Sequence, residues 1–339
     1  MASFEDVLAN LDKDTRDLLK MGDEVVVTKI PTPSLGLTNA TGGGFAKGSQ
    51  VLIWGPKSSG KTTFCLQQIA TAQKNGFSCA FMDVEGTFDP EWAERLGVDT
   101  KKMLYAPIRN MNNFVNRGIS LIKAGVDIIA VDSITALMPA AYAEKDGEIK
   151  DFGDTNAIGS HSRDLSKAMS MLNGANEKRE TTLILISQAR MAPAGGMHWG
   201  LSSTGGQAVR FYSSTIIKLY SAQGPDYQIN GEVQHGNIIY KKQIGRKVMW
   251  TVEFNKVSAQ GYTGEYDLIF EDDPVGISYI GEIVDLGIKS GLITKAGAWL
   301  SYNGETLGQG HDKAVKYLTE NDDIRILLEA EVSGQTISV

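Results

Sequence analysis

Short apolar runs of strand length recur through the middle of the chain, at Val51–Trp54, Cys79–Val84, Ile128–Val131, Thr182–Ser187 and Ser214–Leu219. Each run is continuous, as expected of a strand covered on both faces, and stretches with helical spacing separate them. The alternation predicts a mainly parallel sheet packed between helices, an α/β fold. Ahead of it, Phe4, Val7, Leu8, Leu11, Leu18 and Leu19 fall at roughly helical spacing and predict one amphipathic helix over Phe4–Leu19. A connector rich in Pro, Thr and Gly follows, from Ile30 to Leu35 and again at Thr41 to Gly44. Gln223 to Trp250 reads as a β-ribbon with Asn230-Gly231 as the candidate tight turn. Beyond Asp273 the pattern is helix-rich: Ile280–Ser290, a hairpin-like piece from Gly297 to Gly304, then Gly310–Thr319. The expected organisation is therefore residues 1–30 as an N-terminal helix and connector, 31–273 as the core, and 274–339 as a small C-terminal α+β domain.

The joint between the first apolar run and the helical run after it carries the most chemistry. Gly55-Pro56-Lys57-Ser58-Ser59-Gly60-Lys61-Thr62 matches G-x-x-x-x-G-K-[ST], and Thr63 begins the apolar-periodic stretch. Glycines let the backbone curl so that successive N–H groups face a phosphate, and the following helix adds the positive end of its dipole. Lys61 is placed to reach the β- and γ-phosphates of a nucleoside triphosphate, and the Thr62 hydroxyl to ligate Mg²⁺. Three other runs end in polar residues that would gather at the same sheet edge. Asp132 closes Ile128–Val131 and is the candidate second metal residue. Glu85 follows Cys79–Val84 and is the candidate to align an attacking water; Asp83 shares its face but sits deeper. Gln188 follows Thr182–Ser187 and can donate a hydrogen bond to a γ-phosphate. The stretch Ala189 to Gly206 is long, glycine-rich and structureless by pattern, so a phosphate sensor there would be wired directly to a functional loop.

Composition narrows the field. The 339 residues are 42% hydrophobic and 22% charged, which suits one large domain with a smaller companion. The apolar runs are too short to span a membrane, and the first residues lack a signal pattern, so a cytoplasmic protein without a membrane partner is expected. Cys65 and Cys79 fall in expected core elements and read as buried thiols in a reducing compartment. The four histidines are scattered, which argues against a structural zinc site. A net charge of −7 excludes nucleic-acid binding through a bulk positive field; any such binding must use local donors.

Taken together, these motifs resemble the RecA family of homologous-recombination ATPases over nearly the whole chain. The pieces that carry the resemblance are Gly55 to Thr63, Phe81 to Pro90, Val131 to Pro139, Ser187 to Met191, Thr204 to Gly206 and Ala298 to Gly310. The last separates this family from ring helicases that share the core. The resemblance implies a RecA-like P-loop ATPase core, with ATP and Mg²⁺ as nucleotide and metal. It implies Glu85 as the base, Asp132 as the metal acid and Gln188 as the sensor. Asp89 falls where the family contacts the adenine amino group, and Trp92 where it has a stacking tyrosine, a physically conservative exchange.

The resemblance also implies DNA-dependent ATP hydrolysis, a homo-oligomeric helical filament on single-stranded DNA, and strand exchange with homologous duplex DNA. Two DNA-binding loops are implied, near Tyr142–Gly159 and Ala189–Gly206. The first carries five acids against two lysines, a net of −3, so phosphate contacts fall to backbone near Gly159 and Ser160 and to Arg163. The second offers Arg190, the amides of Gly205 and Gly206, and either Met197 or Trp199 as a wedge between bases. Two features depart from the family. The ribbon at Gln223–Trp250 is longer by about a dozen residues, consistent with an extra hairpin; its Lys241, Lys242, Arg246 and Lys247 are either DNA or subunit contacts or a solvated face. Of a lysine pair that reaches the neighbouring subunit's nucleotide only Lys256 is present, in Phe254-Asn255-Lys256. A helicase on the same core and a DNA-coating protein that binds ATP without turnover are the competing readings.

Overall fold

A computed structural model describes residues 3–19, 21–139, 160–193, 199–203, 206–221, 224–235, 238–271 and 274–334. The N-terminal segment forms two short helices, α1 (Phe4–Ala9) and α2 (Lys13–Leu18), where the spacing predicts one. The break is chemical. Ser3 and Asp6 form a capping box on α1, and Asp12 caps α2 by accepting from the Thr15 N–H at 2.8 Å. Both caps favour a fresh start over a continuous helix. Phe4 and Val7 remain 61% and 51% exposed, so this module has an apolar face without a partner among the described residues. The connector then pairs β1 (Lys29–Ile30) with β2 (Phe45–Ala46) around α3 (Leu35–Ala40).

Among the described residues eleven strands form the central sheet. They are β3 (Gln50–Gly55), β4 (Cys79–Asp83), β5 (Met103–Pro107), β6 (Ile128–Asp132), β7 (Thr182–Pro193), β8 (Trp199–Ser203), β9 (Thr215–Tyr220), β10 (Gln228–His235), β11 (Ile238–Asn255), β12 (Thr263–Ile269) and β13 (Gly276–Ile277). Six run parallel in the order β9-β3-β7-β6-β4-β5; β11, β12 and β13 extend the sheet antiparallel, β10 pairs with β11, and β8 pairs with β7. Helices α4 (Lys61–Lys74), α5 (Pro90–Arg95), α6 (Met111–Ala124), α7 (Ser160–Asn176) and α8 (Gly206–Tyr212) connect the strands. Alternate residues of β3 serve two cores: Val51 and Ile53 pack with Phe64 and Ile69 of α4, whereas Leu52 and Trp54 pack with Phe114 of α6 and Leu172 of α7. Burial on both faces explains the continuous apolar runs.

Two expectations about the loops are corrected. Asn230-Gly231 is not the ribbon turn. Both residues lie inside β10 opposite Gln243 and Lys242, beside a register shift, and the connection falls between His235 and Ile238. A Cβ at 231 would meet the end of the Ile244 side chain at 2.6 Å, so a larger residue there would make that side chain move. The stretch after Gln188 is also not structureless, since β7 continues to Pro193 and β8 returns along it, with Ala189 opposite Ser203.

The C-terminal part packs α9 (Tyr279–Ser290), α10 (His311–Glu320) and α11 (Asp322–Val332) against a three-stranded antiparallel sheet, β14 (Ile293–Ala296), β15 (Trp299–Tyr302) and β16 (Glu305–Gln309). Its core (Ile283, Val284, Leu300, Leu318, Leu328) also takes in Leu35 from α3. One carboxylate bolts this part to the connector. Glu282, 4% exposed, accepts from the Ser34 hydroxyl at 2.7 Å and the Leu35 N–H at 3.0 Å.

Burial pushes the Glu282 carboxyl up to about 8 from a usual value of 4.5. A carboxyl that binds its proton more tightly when folded loses stability as pH rises from the unfolded value through the folded one, here across about 4.5 to 8. Asp132, raised to about 6 by burial, and His311, raised chiefly by its hydrogen bond to Asp285, act in the same direction. Thermal unfolding followed from pH 5 to 8 should therefore show a falling midpoint. Glu282→Gln should flatten that slope by up to ~1.4 kcal/mol per pH unit, whatever its effect on absolute stability. An unchanged slope in the variant would remove Glu282 from this account.

Candidate nucleotide site and DNA-facing segments

The phosphate-loop sequence folds as its residue types require. Gly55 ends β3 where a Cβ would sit 1.9 Å from the Leu219 carbonyl oxygen, so no side chain fits. Gly60 has φ +85°, in the left-handed region, and leads directly into α4. Ser58, although not glycine, also has a positive φ of 61°. Lys61 is buried at the first position of α4; its Nζ donates to the Pro56 carbonyl at 2.7 Å and lies 3.4 Å from the Ser59 hydroxyl. Burial lowers the Lys61 pKa, and Asp132 and Glu85 oppose that shift. Lys57 is exposed on the outside of the loop.

The sheet edge gathers the polar residues that end the strands. The Thr62 hydroxyl donates to Asp132 Oδ2 at 2.5 Å. A hydroxyl and a carboxylate are hard oxygen donors, the type Mg²⁺ takes while completing its shell with phosphates and water. Among the described residues no cluster of three or more His, Cys, Asp or Glu could hold a metal alone. Thr62 and Asp132 thus fit a cation shared with a nucleotide and not an all-protein cage. The Asp132–Ser133 peptide is cis. Glu85 Oε1 accepts from the Ser133 hydroxyl at 2.8 Å and from Gln188 Nε2 at 3.0 Å. The backbone N–H of Gln188 donates to Thr135 Oγ1 at 3.0 Å, and Gln188 stands opposite Gly55 in the β3–β7 register. Asp83 has a structural task. It is buried and accepts from the N–H groups of Gly86 and Phe88 and from the Tyr105 hydroxyl, shaping the turn that presents Glu85.

A cleft of about 310 Å³ opens beside the loop, lined by Ser58 to Thr63, Trp92, Arg246 and Leu268 to Phe270. Trp92 forms one wall, with the Arg95 guanidinium 5.3 Å from its ring centroid. Asp89 is the N-cap of α5, its Oδ1 accepting from Glu91 and Trp92. Three ribbon cations are paired: Lys241 with Glu232, Lys242 with Glu271 and Lys247 with Asp267. Arg246 instead points into the cleft and donates to the Ser58 carbonyl at 3.0 Å. Sequence reasoning missed Arg246, Ser133 and Thr135 as members of this site. No local signal marks them; Arg246 and Ser58 are 188 residues apart.

The candidate DNA-binding residues scatter more widely. Ser160 opens α7 and is buried, with Arg163 exposed one turn on. Arg190 is exposed on β7 opposite Ser202. Trp199 begins β8 and Gly206 begins α8. Gly159, Met197 and Gly205 lie outside the described residues. Lys256 is exposed just beyond β11 and does not line the cleft of its own chain, while Phe254 packs on the core.

Sheet order, loop and strand-end cluster define a phosphate-loop nucleotide-binding protein. Family models narrow this further: the RecA N-terminal domain matches residues 3–274 and the RecA C-terminal domain residues 281–336. The proteins named "Protein RecA" of Sulfurovum sp. (strain NBC37-1) and Helicobacter hepaticus (strain ATCC 51449 / 3B1) are 39% and 38% identical to it. They cover 93% and 94% of this chain and 86% and 88% of their own lengths. That of Teredinibacter turnerae (strain ATCC 39867 / T7901) is 36% identical over 329 residues. The chain belongs to the RecA family.

Proposed function

We propose that this chain is an ATP-dependent recombinase. It forms a helical filament on single-stranded DNA, hydrolyses ATP to ADP and phosphate in a DNA-dependent manner, and catalyses homologous pairing and strand exchange with duplex DNA. Family membership supports the recombinase reading. The mechanistic part rests above all on one observation: Gln188 holds Glu85 through its side chain, and its own strand runs on without a break to Arg190 and the β7–β8 hairpin.

Lys61 and the loop amides hold the phosphates, and Trp92 and Asp89 the base. Thr62 and Asp132 would hold Mg²⁺, which when bound offsets charge on the β- and γ-phosphates. Glu85 aligns and deprotonates the attacking water. Gln188 donates either to Glu85 or to the γ-phosphate; losing the latter on hydrolysis would relax the hairpin and release DNA. Ser160, Arg163, Arg190, Gly206 and Trp199, together with Gly159, Met197 and Gly205, form the DNA-facing set. The N-terminal segment Phe4–Leu19 packs on the next subunit, and Lys256 reaches that subunit's nucleotide. Residues 31–273 act as the ATPase core between the N-terminal module and the domain from 274 onward. No described helix is long and apolar enough to cross a membrane, and a cytoplasmic location is proposed.

The test is ATPase and strand-binding assays on the purified protein. ATP turnover should rise on adding single-stranded DNA, and that DNA should bind more tightly with an ATP analogue than with ADP. Turnover indifferent to DNA would remove the coupling. Unwinding of a duplex without pairing activity would favour the helicase reading instead.

A further inference from the structure

Arg246 behaves unlike every other cation of the ribbon. No carboxylate among the described residues forms an ion pair with it, whereas Lys241, Lys242 and Lys247 each have one. Its guanidinium lies over the Phe270 ring at 5.4 Å, and one end donates to the Ser58 carbonyl at 3.0 Å. Its Nε is shielded from solvent and has no hydrogen-bond partner among the described residues. Buried donors in native proteins are nearly always satisfied, so this guanidinium, which also lines the cleft, has hydrogen-bonding capacity left over. The charge argues likewise. Among the described residues Lys61 and Arg246 are the two cations lining this cleft, and a nucleoside triphosphate keeps negative charge even with one Mg²⁺ bound. Arg246 is also held firmly in place, because its β11 position pairs with Gln228 on one side and Leu268 on the other.

We propose that Arg246 is a nucleotide ligand supplied by the chain's own ribbon: its guanidinium clasps the rim of the phosphate loop at Ser58 and offers its remaining N–H groups to the nucleotide phosphates. The planar fork suits a phosphate oxygen pair, and the arene beneath it fixes its plane. The cleft then closes over the phosphates from two sides, Lys61 from the helix and Arg246 from the ribbon. This assignment rests on the nucleotide-site reading given above and adds to it a cation supplied within the same chain.

The experiment is calorimetric titration of the full-length protein with ATP, ADP and adenosine, using wild type, Arg246→Gln and Arg246→Lys. Arg246→Gln should weaken ATP and ADP binding on the order of tenfold and leave adenosine unaffected. Arg246→Lys should fall between, because it keeps the charge and loses the fork. The difference between wild type and Arg246→Gln should shrink as salt is raised. ATP bound by Arg246→Gln as tightly as by wild type, or ATP and adenosine weakened equally, would overturn the assignment while leaving the site reading intact. Wild type that binds no ATP would bring down the site reading and Arg246 with it. Adenosine affinity doubles as the check that the variant cleft is folded.

Discussion

Glu85→Gln is expected to lower ATP turnover on the order of 10²–10⁴-fold while ATP and single-stranded DNA still bind. The geometry is favourable for this separation. Glu85 is exposed, so the exchange costs little stability. Its Oε1 accepts from Ser133 and Gln188, and a carboxamide oxygen can accept both bonds, which preserves the arrangement. What it cannot do is take a proton from water. Phosphate release measured with saturating single-stranded DNA, beside binding of DNA in ATP, separates the two effects. Rapid hydrolysis by the variant would strip Glu85 of its assigned role, and loss of binding would mean that the side chain serves structure.

Lys61→Ala should have the broader effect, because it acts before chemistry begins. The ammonium is buried, ties the Pro56 carbonyl to the start of α4, and lies in the field of Asp132 and Glu85. Truncation removes the charge that faces the phosphates and leaves Asp132 with less compensation in a site that already pushes its carboxyl to about 6. Alanine is a good helix former, so α4 itself should persist. ATP affinity should drop by roughly 100-fold or more, as expected when a hydrogen-bonded buried charge loses its ionic partner. ATP-dependent DNA binding and strand exchange should vanish with it. A Lys61→Ala protein that exchanged strands at the wild-type rate with no nucleotide bound would refute the coupling of nucleotide to DNA.

The centre of the sheet was legible from sequence because β3, β6 and β7 are covered on both faces, which writes burial as continuous apolar runs. The strand-end positions of Asp132, Glu85 and Gln188 followed from the same pattern. The edges were harder. Strand β5 carries exposed Leu104 and Tyr105 and so lacks an apolar run of its own. The hairpin after Gln188 exists through pairing of β7 with β8, a tertiary fact that glycine-rich composition conceals. At Asn230-Gly231 the local turn preference lost to ladder pairing with Gln243 and Lys242. Asp12 broke the N-terminal helix with a cap that apolar periodicity does not register. The hydrogen bond between Gln188 and Glu85 depends on how two strand ends meet, and spacing along a chain cannot supply that.

Strand β11 touches two kinds of place. Midway along it Arg246 meets the phosphate loop of its own chain; just past its C-terminal end, Lys256 stands exposed on the surface. The intervening run is roughly 30 Å of extended backbone, paired with β12 as far as Thr251 and with β9 from Met249 to Asn255. Such a beam neither stretches nor folds. In a polymer where Lys256 reaches the next ATP along, consecutive nucleotides would be yoked by a stiff rod of fixed length, and the spacing of the polymer would be gauged by it.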